Sequence, residues 1–167
     1  MACAVSALIP PTVNIMLSDP KRPRILVVED DYCIGVLFET VLSPLCQVVL
    51  TDTFDGALQA AARRHFNLFL LDIYLGETRT GIDLLSRLRQ IPGSSTTRAV
   101  ACTSFSGEDN RKYLLSCGFN GYVCKPFTRR ELLSVLARVL ADEPLKGSGL
   151  QIGIDQANIP LINDAPI

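Results

Sequence analysis

Short apolar runs and helix-period stripes alternate along this chain between about residues 24 and 141. The runs Ile25-Leu26-Val27-Val28, Leu68-Phe69-Leu70-Leu71, Ala99-Val100-Ala101-Cys102 and Gly121-Tyr122-Val123-Cys124 lack the apolar–polar alternation of a half-solvated strand. Uninterrupted runs of this kind are the mark of parallel strands covered on both faces. The pattern predicts strands at about 24–28, 46–51, 67–71, 97–102 and 120–124. Between them it predicts helices at about 32–43, 54–64, 81–89, 106–117 and 129–141. Five strand–helix units in alternation define an α/β domain with a parallel sheet between helical layers.

The punctuation agrees with these elements. Asp31 is placed to cap the first helix, which stops before Pro44, and Thr51, Asp52 and Thr53 offer a cap for the second. Ser106 with Asp109 resembles a capping signal for the fourth helix, and Gly118 fits its C′ position. Thr128 and Glu131 form a capping box for the last helix. There Leu132, Leu133, Leu136, Val139 and Leu140 make the buried stripe, with Arg129, Arg130 and Arg138 facing water. In the third helix Ile82, Leu85 and Leu88 share one face. The first helix is apolar nearly all round, through Cys33, Ile34, Val36, Leu37, Phe38, Val41 and Leu42.

The domain is expected over 24–143. Residues 1–23, with Pro10, Pro11, Pro20 and Pro23 and no clear period, read as a flexible extension, and Met16 is a candidate natural start. Residues 144–167 read as a mobile tail, although Leu150, Ile152 and Ile154 alternate as a short docked strand would.

Composition narrows the function classes. The net charge of −1 leaves neither a basic surface for nucleic acid nor an acidic tail. No stretch is long and apolar enough to span a bilayer, and the start makes a poor secretion signal. Cys3, Cys33, Cys46, Cys102, Cys117 and Cys124 show no zinc spacing. Cys33, Cys46, Cys102 and Cys124 lie in apolar surroundings and read as buried, reduced thiols, which together with the missing signals places the chain in the cytoplasm. The one histidine, His65, reads as a surface residue near a helix end.

The candidate chemistry lies where the runs end. Ligands in open α/β sheets bind beyond the carboxyl ends of the strands. There the chain carries Glu29 and Asp30 after the first run, Asp72 after the third, Thr103 after the fourth and Lys125-Pro126 after the fifth. Adjacent carboxylates repel one another unless a cation sits among them, and carboxylate oxygens suit Mg²⁺. Glu29, Asp30, Asp72 and the backbone carbonyl of Tyr74 are the candidate metal ligands. Asp72 can attack a phosphoryl donor to form an acyl phosphate. Lys125 can pair with Asp72 and then with a phosphoryl oxygen, and the Thr103 hydroxyl can donate to another. A cis Lys125–Pro126 bond would turn the chain sharply there.

Taken in order, ILVVEDD, LLD, ACTS and GYVCKPF resemble the receiver domain of two-component response regulators, of which the chemotaxis receiver is the familiar single-domain type. The resemblance covers about 24–141. It implies a flavodoxin-like, doubly wound five-stranded sheet of order 2-1-3-4-5. It implies that Asp72 is the phosphoacceptor, that Glu29 and Asp30 help bind Mg²⁺, and that Thr103 and Lys125 contact the phosphoryl group. Thr103 and Tyr122 would form a switch that changes the face made by the fourth helix, fifth strand and fifth helix. The implied partners are a histidine kinase or histidine phosphotransfer protein, docking near the first helix, and a downstream protein target. The sequence does not fix the oligomeric state; a homodimer through the switch face is compatible with it, with Glu108, Arg111, Lys112 and Arg129 as candidate pairing residues. The chain would be an enzyme only toward its own phosphorylation and dephosphorylation.

Two departures stand out. Gly76 occupies a position where many family members carry proline, and Tyr74 and Phe105 are bulky at positions that modulate the access of water to the phosphate. Slow loss of the phosphoryl group is therefore expected. Three other readings compete: a pseudo-receiver acting without phosphorylation, an aspartyl-phosphate phosphatase, and a flavin protein. Asp72-Ile73-Tyr74 lacks the second acid a phosphatase would use, and no phosphate-cradling loop follows the first strand.

Overall fold

The computed structural model describes residues 22–76 and 79–141. The expectations for Met16, Cys3, residues 1–21 and the tail from 144 lie outside the described residues. Strands β1 (Arg24–Val28), β2 (Gln47–Thr51), β3 (Leu68–Asp72), β4 (Arg98–Thr103) and β5 (Gly121–Cys124) alternate with helices α1 (Tyr32–Leu42), α2 (Phe54–Arg63), α3 (Gly81–Leu88), α4 (Glu108–Ser116) and α5 (Arg129–Leu140). All strand pairs are parallel and the order is β2-β1-β3-β4-β5. The expected doubly wound fold is therefore the observed one.

Alternate residues of the central strands feed two separate cores. Ile25, Val27, Leu68, Leu70, Val100 and Cys102 face α1 and α5, where Phe38 and Phe127 stack with ring centroids 5.5 Å apart. Leu26, Val28, Phe69, Leu71, Ala99 and Ala101 face α2, α3 and α4. A strand covered on both faces has no position left for a polar residue until it emerges at its end, which accounts for the unbroken runs.

Local signals define most helix ends. Asp31 accepts the Ile34 N–H at 3.0 Å, and Thr53 caps α2 through Gly56. Thr128 and Glu131 make the expected capping box. A second box, Thr80 with Asp83, begins α3 and was readable from the same three-residue spacing. At the end of α4, Gly118 (φ 95°) donates to Leu115 and Phe119 donates to Leu114, a pair of bonds that satisfies the last carbonyls.

Several expectations are corrected. Helix α4 is not capped by Ser106: its N-cap is Gly107 at φ 114°, with no side-chain cap bond. The buried stripe of α3 is Gly81, Leu84, Leu85 and Leu88, with Ile82 only half-buried. Leu133 and Leu140 of α5 are half-buried, and so is Arg129, whose Nε is buried without a hydrogen-bond partner. Cys33 is exposed, because α1 buries Gly35, Phe38, Val41 and Leu42 and Cys33 falls on its outer side. Cys46 and Cys102 are buried, whereas Cys124 is half-buried. His65 is exposed as expected. No helix among the described residues is long and apolar enough to cross a membrane.

Candidate functional site

The four strand ends meet at one rim. Asp72 closes β3 and Thr103 closes β4, each one residue further into its strand than expected. Glu29 follows β1 directly and remains 2% exposed, held by its N–H bond to the Thr51 carbonyl at 3.1 Å. Asp72 and Thr103 are also buried, while Asp30 is exposed. Carboxylate oxygens of Glu29, Asp30 and Asp72 all lie within 4.8 Å of one another.

Lys125 binds this acidic set. Its Nζ donates to both oxygens of Glu29, at 2.9 and 2.7 Å, and to Oδ2 of Asp72 at 3.0 Å. Sequence reasoning assigned this ammonium to Asp72 alone. The missed pairing follows from burial, since a carboxylate sunk as deep as Glu29 needs a partner inside the protein. Burial pushes the Glu29 carboxyl up to about 7, against the lowering by Lys125, and the Asp72 charge pushes the same way as burial. Burial alone would pull Lys125 down, but the Glu29 bond and its other neighbours, Asp72 among them, raise it overall. The ammonium thus stays charged, and the set holds more negative charge than one lysine offsets. The Lys125–Pro126 bond is cis.

Two loop amides hold side-chain oxygens at the rim. The Tyr74 N–H donates to Oδ1 of Asp72 at 3.2 Å, and the Phe105 N–H donates to Oγ1 of Thr103 at 3.1 Å. The two rings, each about half exposed, pack at 5.5 Å between centroids, tilted by 37°. Gly76 sits at φ 80°, which proline cannot adopt, so the departure from the usual residue belongs to this loop's own shape. Gly81 had no role in the sequence reading. A Cβ there would overlap the Asp72 carbonyl oxygen, so only glycine lets α3 start against the backbone of Asp72.

Thr103 makes no bond to Asp72; it stands at the end of the neighbouring strand, where β3 and β4 pair Asp72 with Cys102. Tyr122 lies deeper, half-buried against the core under α2, α3 and α4. Arg111 and Glu108, expected to pair between copies, pair with each other at 2.9 Å.

Residues 25–137 match the response regulator receiver domain family, and the chain belongs to that family. It is 31% identical over 113 residues to an uncharacterized 14.6 kDa protein from Leptolyngbya boryana, covering 67% of this chain and 86% of that one. It is 30% identical over 123 residues to the transcriptional regulatory protein BaeR of Escherichia coli, covering 73% of this chain and 50% of BaeR. Among solved structures it resembles a CheY-like receiver domain protein from Methanospirillum hungatei (26% identity, TM-score 0.65, 73% of this chain and 96% of that one). It also resembles the receiver domain of a sensor histidine kinase from Pseudomonas aeruginosa, whose structure holds a magnesium ion in the active-site cleft (27% identity, TM-score 0.64, 72% of this chain and 98% of that one). The chain is thus homologous to the phosphoaccepting domains of two-component systems.

Proposed function

We propose that this protein accepts a phosphoryl group on Asp72 from a histidine kinase or histidine phosphotransfer protein, and thereby changes a protein-binding surface. The observation that carries this reading is the rim itself: three carboxylates within 4.8 Å, two of them bonded to one lysine ammonium, Glu29 at 2.7 Å and Asp72 at 3.0 Å. In the reaction an Asp72 oxygen attacks phosphorus, the bond from phosphorus to the donor breaks, and the donor leaves with that electron pair. Tyr74 N–H holds Oδ1, so the carboxylate is oriented before the donor arrives. Lys125 has three donors, and can keep one on Glu29 while turning another to a phosphoryl oxygen. The Thr103 hydroxyl donates to a second.

The donor set fits Mg²⁺: hard oxygens from Glu29, Asp30 and Asp72, with net negative charge left over and the Tyr74 carbonyl on the adjoining loop. Bound Mg²⁺ would supply positive charge to offset that of the incoming phosphoryl group. Movement of Thr103 toward the phosphoryl group would leave room for Tyr122 to turn inward, changing the α4–β5–α5 face that a downstream target or a second copy reads. The outer side of α1, where Tyr32 is 82% and Val36 40% exposed, is the proposed docking side for the donor. Within this reading the receiver unit is residues 24–143, working in the cytoplasm.

The test is incubation with Mg²⁺ and acetyl phosphate, followed by intact mass measurement. Wild type gains the mass of one phosphoryl group and Asp72→Asn does not. An unchanged wild-type mass, with the protein folded and Mg²⁺ bound, would replace this reading with a module that interacts without phosphorylation.

A further inference from the structure

The loop between β3 and α3 carries two groups the proposed reaction needs: the Tyr74 N–H on Asp72 and the Tyr74 carbonyl. The structure ties this loop down at its far end. Arg79 Nη1 bonds Oδ1 of Asp55 at 3.0 Å, and the same guanidinium lies 4.8 Å from the centroid of the Phe54 ring. Both partners stand in the first turn of α2, outside the site. From Arg79 the tie runs inward through backbone. Thr80 pairs antiparallel with Tyr74, the Gly81 N–H donates to the Ile73 carbonyl at 2.9 Å, and Tyr74 N–H reaches Asp72. A planar guanidinium suits such a two-sided seat, one edge on a carboxylate and one face on a ring.

Resting on the function proposed above, we infer that Arg79 is a positioning residue that latches the Tyr74 segment to the start of α2, and so sets the geometry at Asp72. The contact is solvent-exposed, so it contributes little to global stability. Its effect is local. Without it the Tyr74 segment is held, among the described residues, by the Tyr74–Thr80 bridge, the Gly81–Ile73 bond and the Tyr74–Phe105 ring contact, and the donor on Oδ1 of Asp72 is held less steadily. The order of the loop, rather than the fold, depends on the latch.

The test compares wild type, Arg79→Ala, Arg79→Lys and the charge-swapped Arg79→Asp/Asp55→Arg pair. The metal-free readout is hydrogen exchange at the Tyr74 amide. Mg²⁺ affinity by calorimetry and the hydrolysis rate of the acyl phosphate follow. In Arg79→Ala the Tyr74 amide should exchange faster and Mg²⁺ should bind about threefold to tenfold more weakly, the scale expected for one exposed ion pair plus one cation–ring contact. Thermal unfolding should be unchanged. Arg79→Lys and the swapped pair should recover most of the loss. Tyr74 exchange and Mg²⁺ affinity at wild-type values in Arg79→Ala overturn the latch, as does a loss of affinity that only accompanies a lower unfolding temperature. A wild type that binds Mg²⁺ but takes no phosphoryl group overturns the proposed function instead, and the latch is then decided by the exchange and affinity measurements.

Discussion

The two ends of the same sheet treat charge in opposite ways. At the amino end, Arg89 and Arg98 are spent on backbone. Arg98 donates to the Val139 and Leu140 carbonyls that close α5, at 2.8 and 2.7 Å. Arg89 gathers the carbonyls of Ser95, Thr97 and Gly118, at 2.6, 3.0 and 3.0 Å, and thereby joins the turn before β4 to the end of α4. Helix C-termini at this end present unpaired carbonyls, and arginine satisfies several at once. At the carboxyl end Lys125 bonds side-chain carboxylates instead, those of Glu29 and Asp72, in a cluster of three. The first arrangement is complete in the folded chain. The second is left short of positive charge, as the proposed reaction with an incoming cation and anion requires. A charged residue at a strand end therefore indicates function only when its neighbours leave it unbalanced.

Breaking the rim should cost more than breaking the amino end, and should cost it differently. Lys125→Ala leaves Glu29 buried with no counter-charge, a loss of about 3 kcal/mol by the usual scale for a severed buried pair. The sign with pH follows from Glu29, which already titrates near 7 with Lys125 in place. Without Lys125 its pKa rises further, so at pH 6 the carboxyl is neutral in the folded variant and most of the cost disappears. Urea unfolding at pH 6 and pH 8 should show a much larger deficit at pH 8. An equal deficit at both would mean that Glu29 is not the group strained. Arg89→Leu should cost about 1.5 kcal/mol by removing donors from three carbonyls, with no such pH dependence and with acetyl phosphate labelling intact. A labelling defect there would erase the distinction between the two ends.

The comparison sharpens with metal. Because burial holds the Glu29 carboxyl near 7, protons compete with Mg²⁺ below that pH. Apparent Mg²⁺ affinity should climb roughly tenfold per pH unit up to that point and level off above it, the slope for one displaced proton. Glu29→Gln should flatten the climb. Calorimetric titrations between pH 5.5 and 8.5, set as about this range by one-proton linkage, would settle it, and a flat wild-type profile would remove Glu29 from the metal set.

Most of the fold was legible because both faces of β1, β3 and β4 are covered, which forces unbroken apolar runs and makes each first polar residue a rim residue. Asp72, Thr103, Glu29 and Lys125 were found this way. So was the Lys125–Asp72 pair, but the Lys125–Glu29 pair was not, since Glu29 and Asp30 are neighbours in sequence and differ only in depth. Depth depends on β2, whose Thr51 carbonyl fixes the Glu29 amide. Cys33 and Ile82 were misplaced for a related reason: in a helix apolar on several sides, periodicity does not say which side meets the sheet. The start of α4 was missed because a glycine at positive φ turns the chain there without any side-chain cap. Arg79 was invisible, as its partners lie more than twenty positions away and charge spacing carries no such information.

The smallest expected effect concerns the rings above the rim. Tyr74 and Phe105 each follow, by two residues, the side chain their amide holds, and their contact spans the loops after β3 and β4. An aromatic pair is worth about 1 kcal/mol. If the closed pair is what keeps water from the acyl phosphate, removing one ring should speed hydrolysis by about fivefold, that energy expressed as a rate ratio. Phe105→Ala should therefore shorten the lifetime of the phosphoryl group on Asp72 by that factor, while Phe105→Leu, which keeps apolar bulk but no ring, falls between. Unfolding should barely change, because both rings are about half exposed. Time courses of phosphoryl loss after removal of acetyl phosphate separate the two roles these residues have. Faster loss at an unchanged rate of uptake assigns the rings to excluding water. A matching fall in uptake would mean that the Phe105 amide, through Thr103, positions the donor, and the rim would then act as one unit in both directions of the reaction.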